Sequence, residues 1–546
     1  MLLSILTGTL LVSTVCALWP VPIQVSEGST TVVLAQGFAI EYNAPNRTAP
    51  TGCVDSSQVV WGAIKRTYGL LNDGFVPNML YTFEEDFEPT AEEMAAAPQL
   101  CKLVITQTLT FFKGETDGHS EFDVSLTPKA GAVNESYVLS IPSDSDTATI
   151  SAVSFLGVIY ALQSFNQLFY THTNGQIYTS YAPVYIVDEP KFKHRGLNMD
   201  LSRHFYPKES VLRVIDTMSW QKFNRFHMHI TDSQSWPLEV PSIPELATKG
   251  AYGQGLWYTA ADLEEMLEYA AARGIQAYIE IDMPGHTNSI AYSHPELIAA
   301  SNIQPDWPTY ANQPPSGQLK LNDSDVKQFM SSIIADVLPR TGGASNYFHT
   351  GGDEVNVNVY NLDPGIQSNV STVIQPYLQD FVLYTIPLSV SLIRRGIHEQ
   401  IFAANRTPIV WEEMLLVWNV TLNKDVLVQV WQSAANAQLT TSQGYQTIVG
   451  SYDYWYLDCG RGQWLDFGPA VFQQFYPFLD YCNPLKNWRL IYSYDPLFNL
   501  TSEQAALVVG GEIHLWSEQT DEHRIESMLW PRAAAAGLYH TLPCRY

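Results

Sequence analysis

The residues best suited to chemistry are Asp353 and Glu354, adjacent carboxyls that follow Gly351 and Gly352 just after His349. Two neighbouring acids can divide proton donation and charge stabilisation between them, provided both reach one site. In a regular strand neighbours point to opposite faces, which would separate them. The two glycines permit an irregular turn that brings both side chains to one rim. Like-charge proximity and partial burial then predict a raised pKa for one carboxyl, favouring a protonated acid. Taken alone, an Asp-Glu pair suits a helix cap or a solvated loop equally well, so the chain around it must decide.

After Pro190 short β-branched or aromatic runs alternate with amphipathic helices, the pattern of repeated βα units. The predicted strands are Arg195 to Met199, Arg225 to Ile230, Gln276 to Ile281, Tyr347 to Thr350, Pro408 to Trp411, Val426 to Trp431, Thr447 to Ser451 and Ala506 to Leu515. Eight of them predict an α/β fold, a closed (β/α)8 TIM barrel over 189–546. Helices are predicted for Lys208 to Gln221, Ala260 to Ala272 with Thr259 as N-cap, and Asp325 to Val337. The pattern from Tyr377 to Ile397 is interrupted by Pro387, which ends or kinks a helix there. Before the barrel, 18–188 shows short strand-like runs and one helical pattern from Phe155, a small α+β domain ending near Asp188-Glu189-Pro190.

A barrel of this kind builds its site where strands end and loops begin. Polar and aromatic residues stand at every such end. They are Arg195 and Asp200, then Asp232, then Asp282 and His286, then His349, Asp353 and Glu354. Trp411-Glu412-Glu413, Trp431, Tyr456 with Asp458, and Trp516 with Glu518 complete the round. A pyranose needs this mixture, because its C–H faces stack on indoles while its hydroxyls bond to carboxylates. Any one of the three tryptophans is as readily a core residue; together they favour a sugar platform. Cleavage of a glycoside requires a proton donor and a group that stabilises the positive sugar, and Asp353 with Glu354 can supply both.

The rival chemistry is metal hydrolysis. His227-Met228-His229 resembles the His-x-His of amidohydrolase barrels, with His286 as a further ligand. The triplet lies before the strand end, between Phe226 and Ile230, where inward histidines fill a barrel layer, so core support is preferred and neither metal nor cofactor is expected.

The 546 residues carry 29 Lys+Arg against 55 Asp+Glu, a formal charge of -26 that repels nucleic acid. Met1 to Ala17 is uncharged, apolar and ends in Val15-Cys16-Ala17, which predicts a signal peptide cleaved before Leu18, with a short membrane anchor as the alternative. No later segment is long and apolar enough to span a membrane. Sequons at Asn46, Asn134, Asn322, Asn369, Asn405, Asn419 and Asn499 agree with a secretory route, whether the product is secreted, wall-bound or vacuolar. Pairing of neighbours predicts Cys53 with Cys101 and Cys459 with Cys482, leaving Cys544 over.

His194-Arg195-Gly196, His227 to Asp232, Asp282-Met283-Pro284-Gly285-His286, His349 to Glu354, Trp411-Glu412-Glu413, Tyr456-Leu457-Asp458 and Leu515-Trp516-Ser517-Glu518 resemble the family 20 glycoside hydrolases, the β-N-acetylhexosaminidases. The style of Tyr456 to Gly460 is most similar to the secreted fungal members. The resemblance implies that Glu354 is the acid/base and that Asp353 orients a substrate acetamide acting as nucleophile. It further implies that Tyr456 bonds the acetamide oxygen, that Trp411, Trp431 and Trp516 wall the sugar, and that Arg195, Asp458 and Glu518 hold terminal hydroxyls. Asp232, His286 and His349 would support the acids. The implied partners are N-acetylhexosamine-terminated oligosaccharides, with a homodimer left open. Two departures stand out: Met228 where many relatives have an aromatic, and a chain that stops at Tyr546, short of the family's usual tail. The alternatives are a catalytically impaired sugar-binding protein on the same fold and the metal-dependent barrel.

Overall fold

The computed structural model describes residues 18–44, 56–73, 88–108, 133–341, 345–383, 396–465 and 479–539. The expected signal peptide, Cys53, Pro387 and Cys544 lie outside them. The chain forms two compact units that divide between Pro190 and Lys191.

In the first unit an eight-stranded mixed sheet has the long strand Thr30–Asn43 parallel to Gln99–Gln107, which is itself parallel to Thr147–Ala152. Helix Phe155–Gln167 is apolar on all sides and buried along nearly its whole length, capped by Ser154, whose hydroxyl accepts from Gly157 N–H.

In the second unit eight parallel strands close into a barrel. They are His194–Asp200, Arg225–Thr231, Gln276–Ile281, Tyr347–His349, Thr407–Trp411, Leu427–Val430, Thr447–Val449 and Val508–Leu515. Every predicted strand is present, its ends displaced by at most two residues. Thr259 caps helix Ala260–Ala271 as expected, in a reciprocal capping box with Asp262. The outward strand residues pack on the helices in one continuous apolar core.

The inward residues are largely polar. Glu512, on the eighth strand, receives Tyr278 Oη at 2.6 Å, His227 Nδ1 at 2.7 Å and Gln429 Nε2 at 2.8 Å. Nearer the rim, Glu280 receives His229 Nδ1 at 2.5 Å and Trp411 Nε1 at 2.6 Å, while His349 Nδ1, which accepts Gly351 N–H, lies 3.1 Å away as a neighbour and not as a donor. Burial alone would raise both carboxyls, yet the surrounding histidines hold Glu280 and Glu512 well below their ordinary 4.5. Burial likewise opposes charge on His227 and His229, but their carboxylate partners win and lift them to about 9 and about 10. His194 and His349 are pushed down by burial and His514 falls to about 3, so these three stay neutral. The His-x-His pair is thus bound to carboxylates inside the barrel. A paired buried ion costs more in desolvation than an apolar substitute would, so this interior fixes geometry at some expense of stability.

Barrel closure depends on Gly510, which lies against His194 on the first strand at a φ of +146°. A Cβ there would stand 1.9 Å from the His194 carbonyl oxygen. Gly510→Ala is therefore expected to lower stability by about 3 kcal/mol or more, whereas Gly444→Ala, with positive φ but open space around it, should cost about 1 kcal/mol. Denaturant unfolding of the two variants checks the contrast. The interior also predicts a pH window. The depressed carboxyls contribute stability above about pH 4.5 that is lost as they protonate, and the raised histidines contribute stability below about 6.5 that is lost as pH climbs towards about 10. The neutral His194, His349 and His514 act the other way, losing stability as pH falls below about 6.5, so the interior's contribution to the melting temperature should peak near pH 6.5 and decline on both sides.

Candidate active site

The turn after the fourth strand departs from regular geometry at each step that matters. Gly351, Gly352 and Glu354 have φ of +68°, +106° and +52°. A Cβ on Gly351 would fall 1.6 Å from Asp282 Oδ1, and one on Gly352 would meet the Met414 side chain. The turn is pinned by Gly352 N–H donating to Asp282 Oδ1 at 2.8 Å and Gly351 N–H donating to His349 Nδ1 at 2.9 Å. Both acids consequently reach the rim, as the glycine pair predicts.

Between them lies His286, itself at a φ of +51°. Its Nε2 stands 3.3 Å from Glu354 Oε2 and 3.8 Å from Asp353 Oδ2, while Nδ1 is 3.2 Å from Asp232 Oδ1. Left-handed backbone at two non-glycine residues costs about 1 kcal/mol or more each, and both sit at the reacting centre. Burial disfavours a charged His286, but Asp232, Asp353 and Asp282 outweigh it and raise its pKa well above 6.5. Burial would also raise Glu354; the hydrogen bond and charge of His286, with a bond from Asn312, reverse the sign and lower it. The carboxyl that rises is Asp353, by burial, and Asp282 rises further, by burial and the charge of Asp353. Asp282 Oδ2 and Asp353 Oδ1 are buried with no donor from elsewhere among the described residues. That is the arrangement of a carboxyl pair sharing one proton.

A cavity of about 320 Å³ opens beside Glu354, bounded by Asn312, Trp431, Asp458, Tyr481 and Glu518. Trp431 is oriented by Glu413, whose two oxygens each accept its indole N–H at 3.0 Å, and it stacks on Tyr456 at 6.1 Å and 12°. Glu412 accepts from the backbone N–H of Gln432 at 2.7 Å, so these two acids hold the wall in place. Burial pushes Glu412 up to about 7. Trp516 stacks on His514 and lies 6.2 Å from Trp411. Trp411 is wholly buried, its N–H spent on Glu280, and forms the floor beneath Tyr456 and Trp516. Glu518 Oε1 accepts from Gln313 Nε2 at 2.9 Å, and Asp458 Oδ1 is a buried acceptor with no partner among the described residues. The predicted Cys459–Cys482 disulfide forms, tying the Asp458 loop to the segment that carries Tyr481.

Arg195 requires a correction. It stands at the start of the first strand, about 16 Å below the rim at ~3.3 Å per residue, and its guanidinium donates to the carbonyls of Lys222 and Phe192. The cation in the site is Arg203, just beyond the strand's end. Its Nη2 pairs with Asp232 Oδ2 at 2.9 Å, its Nη1 lies 3.5 Å from Asp200 Oδ2, and its guanidinium carbon is 5.2 Å from the Trp516 ring centroid. The signal for it was present, since Arg203 follows Asp200 at the end where loops converge. Asn312 and Gln313 belong to an irregular loop and Tyr481 to a short described stretch outside any strand or helix, and none left a periodic signal.

A parallel barrel that gathers paired carboxyls, a buried arginine and indole faces on one rim is the scaffold of a glycoside hydrolase. Residues 192–538 match the catalytic domain of glycosyl hydrolase family 20, and residues 18–168 match the beta-acetyl hexosaminidase like domain. The chain is 37% identical to a beta-hexosaminidase of Arthroderma benhamiae over 95% of this chain and 88% of that one. It is 31% identical to a chitooligosaccharidolytic beta-N-acetylglucosaminidase of Ostrinia furnacalis over 74% and 67% of the two chains. The solved chitobiase of Flavobacterium johnsoniae shares the fold with a TM-score of 0.70 at 23% identity, over 96% of this chain and 69% of that chain. The chain belongs to glycosyl hydrolase family 20.

Arg203→Met should lower kcat/KM by about 100-fold or more, because Asp232 and Asp200 lose a buried partner beside His286. Arg195→Met should lower the melting temperature while KM stays within about twofold. Steady-state kinetics and thermal melts on both variants separate the two roles.

Proposed function

We propose that the protein is an exo-acting β-N-acetylhexosaminidase that removes terminal N-acetylglucosamine or N-acetylgalactosamine with retention of configuration, using the substrate's own acetamide as nucleophile. The observation that carries the reading is the geometry of the acids. Glu354 faces the cavity beside His286, while Asp353 is withdrawn into a proton-sharing pair with Asp282. A withdrawn, hydrogen-bonded carboxyl is suited to orienting an amide N–H rather than to attacking the anomeric carbon.

The acetamide oxygen bonds to the anomeric carbon as the glycosidic bond breaks, and Glu354 gives its proton to the departing oxygen. Asp353 accepts the acetamide N–H and balances the charge of the oxazolinium ring. Glu354 then takes a proton from water, whose oxygen adds to the anomeric carbon and reopens the ring, so two displacements give retention. Tyr456 bonds the acetamide oxygen, and Trp431 and Trp516 enclose the acetamide and the sugar face above the Trp411 floor. Arg203, Asp458 and Glu518 hold the terminal hydroxyls, which restricts attack to the non-reducing end. His286 stores the proton. When a sugar displaces water from the mouth, the His286–Glu354 ion pair loses solvation, and transfer along the 3.3 Å contact leaves a neutral imidazole and a neutral acid. Relatives whose names specify chitooligosaccharides support short chitin fragments as substrates, and sequons at Asn322, Asn369, Asn405, Asn419 and Asn499, all exposed, support a secretory route.

The purified chain should cleave a chromogenic β-N-acetylglucosaminide and leave the matching β-glucoside essentially untouched, with activity indifferent to chelators. Glu354→Gln and Asp353→Asn should each lower kcat by roughly 10²- to 10⁴-fold. Equal cleavage of both sugars would exclude acetamide participation, and loss of activity on chelation would restore the metal reading.

A further inference from the structure

The mechanism above uses the His286 side of Asp232 and leaves the ions beneath it without a task. They form an alternation of carboxylate and imidazole that leads up the barrel to the acid, hydrogen-bonded at some links and at ion-pair distance alone for His227 Nε2 and His286 Nε2. Glu512 contacts His227 at 2.7 Å, and His227 Nε2 lies 3.1 Å from Glu280. Glu280 contacts His229 at 2.5 Å, and His229 Nε2 contacts Asp232 at 2.7 Å. Asp232 contacts His286 at 3.2 Å, and His286 contacts Glu354 at 3.3 Å. Every member up to Asp232 is fully buried or within 1% of it, so none is screened by water and each charge is felt by the next.

We propose that His229 is a positioning residue for the catalytic acid: clamped between Glu280 and Asp232, it aligns the Asp232–His286–Glu354 line and sets the charge that Glu354 faces. The proposal rests on Glu354 being the acid. Both nitrogens of His229 are engaged by carboxylates from different elements, so its ring cannot turn without breaking an ion pair. Its remaining neighbours are Arg203 Nη1 at 3.5 Å, the Trp516 ring at 5.0 Å between centroids, and His227, which shares Glu280. His286 is faced by Asp232, Asp282, Asp353 and Glu354 and by Arg203 Nη2 at 3.4 Å. His229 and Arg203 are thus the cations that share Asp232 with His286 from below. If His229 were neutral, Asp232 would present more of its charge to His286 and through it to Glu354.

His229→Gln keeps hydrogen-bonding capacity and removes the charge. The less compensated Asp232 should keep the proton on the His286–Glu354 pair to higher pH, moving the alkaline limb of the kcat profile up by about half to one pH unit at an effective dielectric near 20. A ring that merely fills space would instead scale kcat down equally at every pH, and an unmoved limb overturns the proposal. The intact protein supplies a second readout that needs no variant. With ¹⁵N-labelled histidine, the NMR signals of His229 should remain those of an imidazolium through pH 8, and a titration near 6.5 overturns the proposal. Glu354→Gln distinguishes the two levels: if that variant keeps both activity and alkaline limb, the assignment of the acid has failed, whatever His229 does.

Discussion

The interaction on which the rest depends is the buried carboxylate of Glu280. It gathers His229 from the second strand, His349 from the fourth and Trp411 from the fifth. Each partner leads to a different part of the site. His229 leads to Asp232 and the proton store, His349 to the turn that carries the acids, and Trp411 to the aromatic floor. An unpaired carboxylate at this depth would cost several kcal/mol, so all three contacts must form together or the barrel interior is destabilised. Fold and site are therefore coupled through one residue that touches no substrate.

The glycine turn answers a separate constraint. Adjacent residues can serve one site only if the backbone between them is irregular, and the room for that irregularity comes from Asp282 and Met414, which would collide with any side chain at Gly351 and Gly352. Asp282 thus has two duties, receiving Gly352 N–H through one oxygen and sharing a proton with Asp353 through the other. That places Asp353 by hydrogen bonding rather than by solvent exposure, and a placed, shielded carboxyl is what the acetamide requires.

The barrel was legible because its strands follow short apolar periods separated by helices, and the rim was legible because the fold dictates which strand end bears function. Arg195 shows where that logic was misapplied. It heads the first strand and therefore belongs to the opposite end, whereas Arg203 occupies the rim position that the same rule identifies. The roles of Trp411 and His349 depend on burial that a sequence does not display. Asn312 and Gln313 arrive on an irregular loop, and Tyr481 stands outside any strand or helix, so no spacing announces them. The Cys459–Cys482 bridge was readable from proximity alone; Cys101 is described, but its expected partner Cys53 is not among the described residues.

The sharpest departure from expectation concerns protonation. Two adjacent acids suggested that one of them would have a raised pKa, and Asp353 does, together with Asp282; the one that faces the cavity, Glu354, is lowered by His286. The rim does not lack a proton; it holds one on the imidazole instead. An ionised Glu354 beside an imidazolium is favoured while water fills the mouth, because solvent supports both charges. A bound sugar withdraws that support, and the neutral pair becomes the better partner for a basic leaving oxygen. Under the proposed mechanism acid strength appears when substrate arrives, and donation of that proton leaves the carboxylate that activates water in the second displacement. Beside the raised carboxyl that the sequence led one to expect, the histidine between the two acids is raised as well.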